Sequence, residues 1–125
     1  PIRILLAEDH PTNQRVVQLI LGGQGAEVVI ADDGAQAVAA FEAGVFDVVL
    51  MDMQMPVMDG LTATRAIRAF EASQPHRTRT PVVMLSANAM AEHRAESAAA
   101  GADSHVAKPI TAVSLIAGIQ AVLGD

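Results

Sequence analysis

The chain has no Cys, no Trp and no Tyr, and its 125 residues include only three Phe. Lack of Cys excludes a disulfide framework, a thiolate nucleophile and a zinc–cysteine site. It also fits a reducing compartment, so the cytoplasm is the expected location. Lack of stacking aromatics removes the usual platform for single-stranded nucleic acid. Positive charge is scarce as well. Eight Lys and Arg stand against fourteen Asp and Glu, a formal net charge of −6, the wrong sign for a surface that follows a phosphate backbone. The longest apolar runs, such as Val48 to Met51, fall far short of the roughly 20 residues a membrane span needs. No signal-peptide pattern opens the chain. Neither nucleic-acid binding nor membrane contact is therefore expected.

What is present points to an ordered aliphatic core. Hydrophobic residues make up 51% and charged residues 18%, enough apolar surface to offset the entropy of ordering. The length suits one domain over residues 1–125 and leaves no room for a separate catalytic unit. A start at Pro1 with no Met before it points to processing or to a piece of a longer protein.

Short apolar runs occur at Ile2 to Ala7, Val28 to Ala31, Phe46 to Met51, Pro81 to Leu85 and His105 to Ala107. Between them, apolar residues recur at spacings of three and four: Val16, Leu19 and Ile20; Ala35, Val38 and Ala39; Ile67 and Phe70; Ile116, Ile119 and Leu123. Gly22-Gly23, Gly44 and Gly101 stand where helices should stop, and Asp33 and Thr111 are candidate N-caps. Asp59-Gly60 reads as a turn, and Ser73 to Thr80 as a surface connection. Five repeats of strand then helix predict an α/β fold with parallel strands, right-handed crossovers and helices on both faces. Unbroken runs such as Ile4-Leu5-Leu6 and Val48-Val49-Leu50-Met51 agree, because strands covered on both faces need no alternation.

In such a sheet, ligands bind beyond the carboxyl ends of the strands. Glu8 and Asp9 follow the first run, Asp52 the third, Ser86 the fourth and Lys108-Pro109 the fifth. Three carboxylates brought together repel unless a proton or a cation intervenes. The oxygen-rich donor set favours a hard ion, Mg²⁺ or Mn²⁺, over zinc, with only His10 beside it. Asp9 would ligate directly, Glu8 partly through water, and a backbone carbonyl near Gln54 would complete the shell. Lys108 is the sole lysine of the chain, placed where its ammonium reaches Asp52 or an anion bound there. A carboxylate flanked by a divalent ion, an ammonium and the Ser86 hydroxyl suits attack on a phosphoryl group, giving an acyl phosphate. Asp52 is the candidate nucleophile.

Glu8-Asp9, the segment Met51 to Gly60 with Asp52, Ser86-Ala87 and Lys108-Pro109 together resemble the receiver domains of two-component response regulators, over essentially the whole chain. That resemblance implies a flavodoxin-like doubly wound (βα)₅ sandwich whose five-stranded parallel sheet has the order 2-1-3-4-5. It also implies Mg²⁺-dependent transfer of a phosphoryl group from phosphohistidine to Asp52 and a phosphorylation-driven switch through Ser86. Most receivers carry Phe or Tyr three residues before the lysine; this chain has His105 as the switch candidate. Read alone, His105 is a partly buried structural residue, with pH sensing as the alternative. The resemblance further assigns Gln54 and Asn88 to tuning of acyl-phosphate lifetime. His10, His76 and His93 look scattered, and the Met cluster from Met51 to Met58 reads as loop and core packing.

Glu8 to Gln14, Met51 to Gly60 and Leu85 to Met90 more closely resemble the receivers of hybrid sensor histidine kinases. The implied partners are a histidine kinase dimerisation domain, a histidine phosphotransfer protein, or both. The implied setting is cytoplasmic, including the cytoplasmic part of a membrane-bound kinase. Alternatives are a stand-alone response regulator or a receiver from a transcriptional regulator. An aspartate-nucleophile phosphatase is a distant one, since it needs a second acid two residues after Asp52, where Gln54 stands. A flavodoxin-like binding module needs a phosphate loop and stacking aromatics that Glu8-Asp9-His10-Pro11 does not supply.

Overall fold

The computed structural model describes residues 2–87 and 91–123. Five strands and five helices alternate through them: β1 (Arg3–Ala7), α1 (Pro11–Gly22), β2 (Glu27–Ala31), α2 (Gly34–Ala43), β3 (Val48–Asp52), α3 (Gly60–Ala72), β4 (Val82–Ser86), α4 (Ala91–Ala100), β5 (Ser104–Ala107) and α5 (Ala112–Leu123). All neighbouring strands pair in parallel, in the order β2-β1-β3-β4-β5. This is the predicted order. The direction in which successive strands are added reverses at β1, and the crevice between β1 and β3 opens at the carboxyl ends of the strands.

Alternate residues of β1 to β4 feed two separate cores. Ile4, Leu6, Val48, Leu50, Val83 and Leu85 face Val17 and Leu21 of α1 and Leu115 and Ile119 of α5. Leu5, Val49, Met51 and Met84 face Ala37 and Phe41 of α2 and Ala63 and Ile67 of α3. Every residue of β3 and β4 is buried, which explains their unbroken apolar runs. At about 1.5–3 kcal/mol per fully buried large aliphatic side chain, this double layer is the main driving force for the fold.

One helix face differs from the periodicity reading. In α1 the core-facing pair is Val17 and Leu21, while Val16 is half-buried and Leu19 is 64% exposed. Residues 16, 17 and 19–21 are all apolar, so spacing alone fits two faces, and packing on the sheet selects one. Asp59-Gly60 is likewise more than a turn. The Asp59 carboxylate accepts the Thr62 N–H at 2.8 Å and caps α3, and this bond holds Asp59 below the usual carboxylate range. Asp33 and Thr111 cap their helices as expected, accepting from Gln36 N at 2.8 Å and Ser114 N at 3.1 Å. Among the described residues, no helix is long and apolar enough to cross a membrane.

Candidate functional site

Three ladder hydrogen bonds continue past the strand ends and fix the backbone of the site. Glu8 N–H donates to Ala31 O at 3.1 Å, Met53 N–H to Leu85 O at 2.9 Å and Lys108 N–H to Ser86 O at 2.7 Å. The Lys108-Pro109 peptide is cis. Behind Asp52, Gly60 brings the start of α3 against the strand end. Its N–H donates to Met53 O at 2.9 Å, and a Cβ there would collide with the Asp52 carbonyl. The helix could not approach so closely with any larger residue.

On this frame the acids converge. Glu8 is fully buried, Asp52 nearly so, and Asp9 lies at the rim. Lys108 Nζ stands 3.1 Å from Glu8 Oε2 and 3.1 Å from Asp52 Oδ1, bridging the first and third strands. Burial, then the charge of Glu8, raises Asp52 from its ordinary 3.8 to about 6, with Lys108 working in the opposite direction. Burial disfavours the Lys108 ammonium, but Asp52 and Glu8 outweigh it and hold the group above its usual value. With three carboxylates against one ammonium, the centre is two positive charges short of neutral, an arrangement that suits a divalent cation. One ligand atom each from Glu8, Asp9, His10 and Asp52 lie within 4.8 Å of one another.

His10, Asp52, Met53, Gln54, Ser86, Ala87 and Lys108 line a cleft of about 320 Å³ over the centre. Ser86 ends β4 and lines the wall of this cleft. Gln54 is exposed at the cleft edge. His105 pairs in register with Met84, below the strand end, and lines a separate hollow with Arg94 and Ser97 of α4. Asn88 lies outside the described residues. Met51 and Met53 are core, and Met55 and Met58 pack against it, as the packing reading expects.

Three residues to which sequence reasoning gave no role belong to this centre, among them His10, which stands beside the donor set in the sequence. His10 is not scattered. Its backbone N–H donates to Glu8 Oε1 at 3.2 Å, and its ring Nδ1 lies 3.1 Å from Asp9 Oδ1 and 3.4 Å from Glu8 Oε1. Asn13 Nδ2 donates to Glu8 Oε1 at 3.4 Å, and Gln14 Nε2 donates to Glu8 O at 2.6 Å and to Asp32 Oδ1 at 2.9 Å. Pro11 was the available signal: proline favours the first position of a helix, which puts Asn13 and Gln14 in the first turn, directly over the preceding strand end.

Comparison with known proteins bears on what this centre does. The family model for the response regulator receiver domain matches residues 4–120. The sensor protein GacS of Pseudomonas syringae pv. syringae is 45% identical over 109 residues, which cover 87% of this chain and 12% of that protein. The chain therefore spans only a small part of this curated relative. Among solved structures, the receiver domain of sensor histidine kinase PA1611 from Pseudomonas aeruginosa PAO1 has a magnesium ion coordinated in its active site cleft. It is 39% identical with a TM-score of 0.87, over 99% of this chain and 98% of that one. A co-crystal structure of the Saccharomyces cerevisiae phosphotransfer protein Ypd1 with the receiver domain of Ssk1 gives a TM-score of 0.91 at 25% identity, over 95% and 86% of the two chains.

Proposed function

Because the chain belongs to the response regulator receiver domain family, we propose that Asp52 is its phosphoacceptor and that residues 1–125 act as one receiver module of a phosphorelay. The carrying observation is the buried Asp52 carboxylate at the end of β3, with Lys108 Nζ 3.1 Å from Oδ1 and the Glu8-Asp9 pair beside it. An Asp52 oxygen attacks phosphorus, the P–N bond of a phosphohistidine breaks, and the departing imidazole keeps the electron pair and takes up a proton. Lys108 stands where it can pair with one oxygen of the transferred group, and the Ser86 hydroxyl with another. Movement of Ser86 toward that group would pass the change to the α4–β5 surface, where His105 occupies the switch position.

The donors fit a hard divalent ion. They are carboxylate oxygens, two of them buried, held together against their own repulsion. Asp9, Asp52 and the Gln54 carbonyl would hold Mg²⁺ directly, and Glu8 partly through water. When bound, the ion supplies positive charge for the phosphoryl oxygens. Mn²⁺ satisfies the same donors. Gln54 and Asn88 are assigned to controlling how water reaches the acyl phosphate.

The phosphohistidine belongs to a kinase dimerisation domain or a phosphotransfer protein. The Ypd1 complex of a similar receiver supports the second. Likeness to the sensor protein GacS supports a place within a hybrid sensor histidine kinase, and the cysteine-free sequence fits a cytoplasmic setting for it. Incubation with acetyl phosphate and Mg²⁺ followed by intact mass tests the central assignment. One added phosphoryl group is expected in the wild type and none in Asp52→Asn, and an equal gain in the variant would refute it.

A further inference from the structure

His10 is the N-cap of α1, yet its side chain makes no capping hydrogen bond. Ring nitrogen Nδ1 instead points at the acidic pair, 3.1 Å from Asp9 Oδ1 and 3.4 Å from Glu8 Oε1. Those separations carry chemical information. An ion with ligand arms of about 2.1 Å holds adjacent donors about 3.0–3.4 Å apart, in octahedral or tetrahedral geometry. The imidazole thus already stands one coordination edge from each carboxylate, on the cleft side of the centre.

Hard Mg²⁺ gains little from an imidazole, whereas Mn²⁺, Co²⁺ and Zn²⁺ gain progressively more from nitrogen. We propose that His10 makes this centre a two-class cation site: Mg²⁺ held by oxygens alone, and a borderline transition ion held by the same acids with His10 Nδ1 as an added ligand. The inference rests on the acidic centre being a cation site, as argued above. On binding, Nδ1 gives up the hydrogen it shares with Asp9 and Nε2 takes one from solvent, which turns the Nδ1 lone pair to the ion. With the ring in place, a transition ion competes with Mg²⁺ for Asp9 and Asp52 and obstructs the cleft beside Lys108 and Ser86.

The test compares Co²⁺ and Mg²⁺ as probes on the 125-residue chain. Their affinities are measured by calorimetry in the wild type, His10→Ala and His10→Asn, and ring resonances are assigned by nitrogen-15 NMR. His10 is 68% exposed, so both variants are expected to fold. The expected result is a Co²⁺-to-Mg²⁺ affinity ratio that falls about tenfold or more in both variants, with a contact shift at His10 Nδ1 in the wild type. An unchanged ratio, or Co²⁺ signals confined to His76, His93 or His105, overturns the proposal. Mg²⁺-induced shifts at the Asp9 and Asp52 amides test the acidic centre separately. Their absence sinks both readings; their presence with an unchanged ratio sinks only the role of His10.

Discussion

Asp52 shows how one residue can set both reactivity and stability. Its carboxyl is raised to about 6 by burial and by Glu8 despite Lys108, so between about pH 4 and pH 6 the folded chain holds a proton that the unfolded chain has released. Stability is greatest while Asp52 is protonated in both states and falls as pH rises through the folded value, reaching a loss on the order of 2–3 kcal/mol above it. Asp52→Asn removes the charge and keeps the shape. In metal-free buffer near neutral pH, the variant is expected to resist urea better than the wild type by about that amount, with a flatter profile between pH 4 and pH 6. A wild-type slope preserved in the variant would mean that another group carries it.

At the scale of elements, a polar web at the far end of the sheet ties α3 to β4 and β5. Arg68, 15% exposed, donates to Gly101 O at 3.0 Å and Thr80 O at 2.8 Å, and pairs with Glu71 at 2.6 Å and Asp103 at 2.8 Å. Asp103 also accepts Val82 N–H at 2.9 Å. Arg68→Met keeps the stem but strips Thr80 O and Glu71 Oε1 of the Arg68 donor, while Gly101 O keeps Arg79 Nη2 at 3.2 Å, and is expected to cost about 2–4 kcal/mol in urea unfolding. Asp52 lies at the opposite strand ends, so phosphoryl uptake should persist in folded variant; a loss of less than about 1 kcal/mol would show the web to be ornamental. Apart from the Arg68–Glu71 pair, three positions apart, this web was not legible in the sequence, because it joins residues 12 to 35 positions apart through side chains whose direction only the packed helix fixes. The strands were legible to within two residues, since burial on both faces leaves unbroken apolar runs. The convergence of Glu8, Asp9, Asp52, Ser86 and Lys108 followed from strand ends alone. Asn13 and Gln14 were missed for the same reason as the Val17–Leu21 face: both depend on how α1 is rotated about its axis.

Across the whole molecule, a chain of net charge −6 buries two carboxylates at one sheet edge and sets its single lysine between them. The self-repulsion is concentrated there, so folding and cation binding should be linked. An ion that binds only the folded chain stabilises it by about 2.7 kcal/mol at a hundred times its dissociation constant. For a domain of this size that is a rise of roughly 10 °C in thermal midpoint. General salt gives a poorer return, because it screens exposed charges but reaches buried pairs weakly. Thermal unfolding in EDTA, in Mg²⁺ and in NaCl of matched ionic strength separates the two effects. Mg²⁺ should raise the wild-type midpoint well beyond NaCl, EDTA should reverse it, and Asp9→Asn should lose most of the difference. If NaCl does as well as Mg²⁺, or Asp9→Asn responds like the wild type, the acids do not hold a shared ion and the phosphoacceptor reading loses its electrostatic basis.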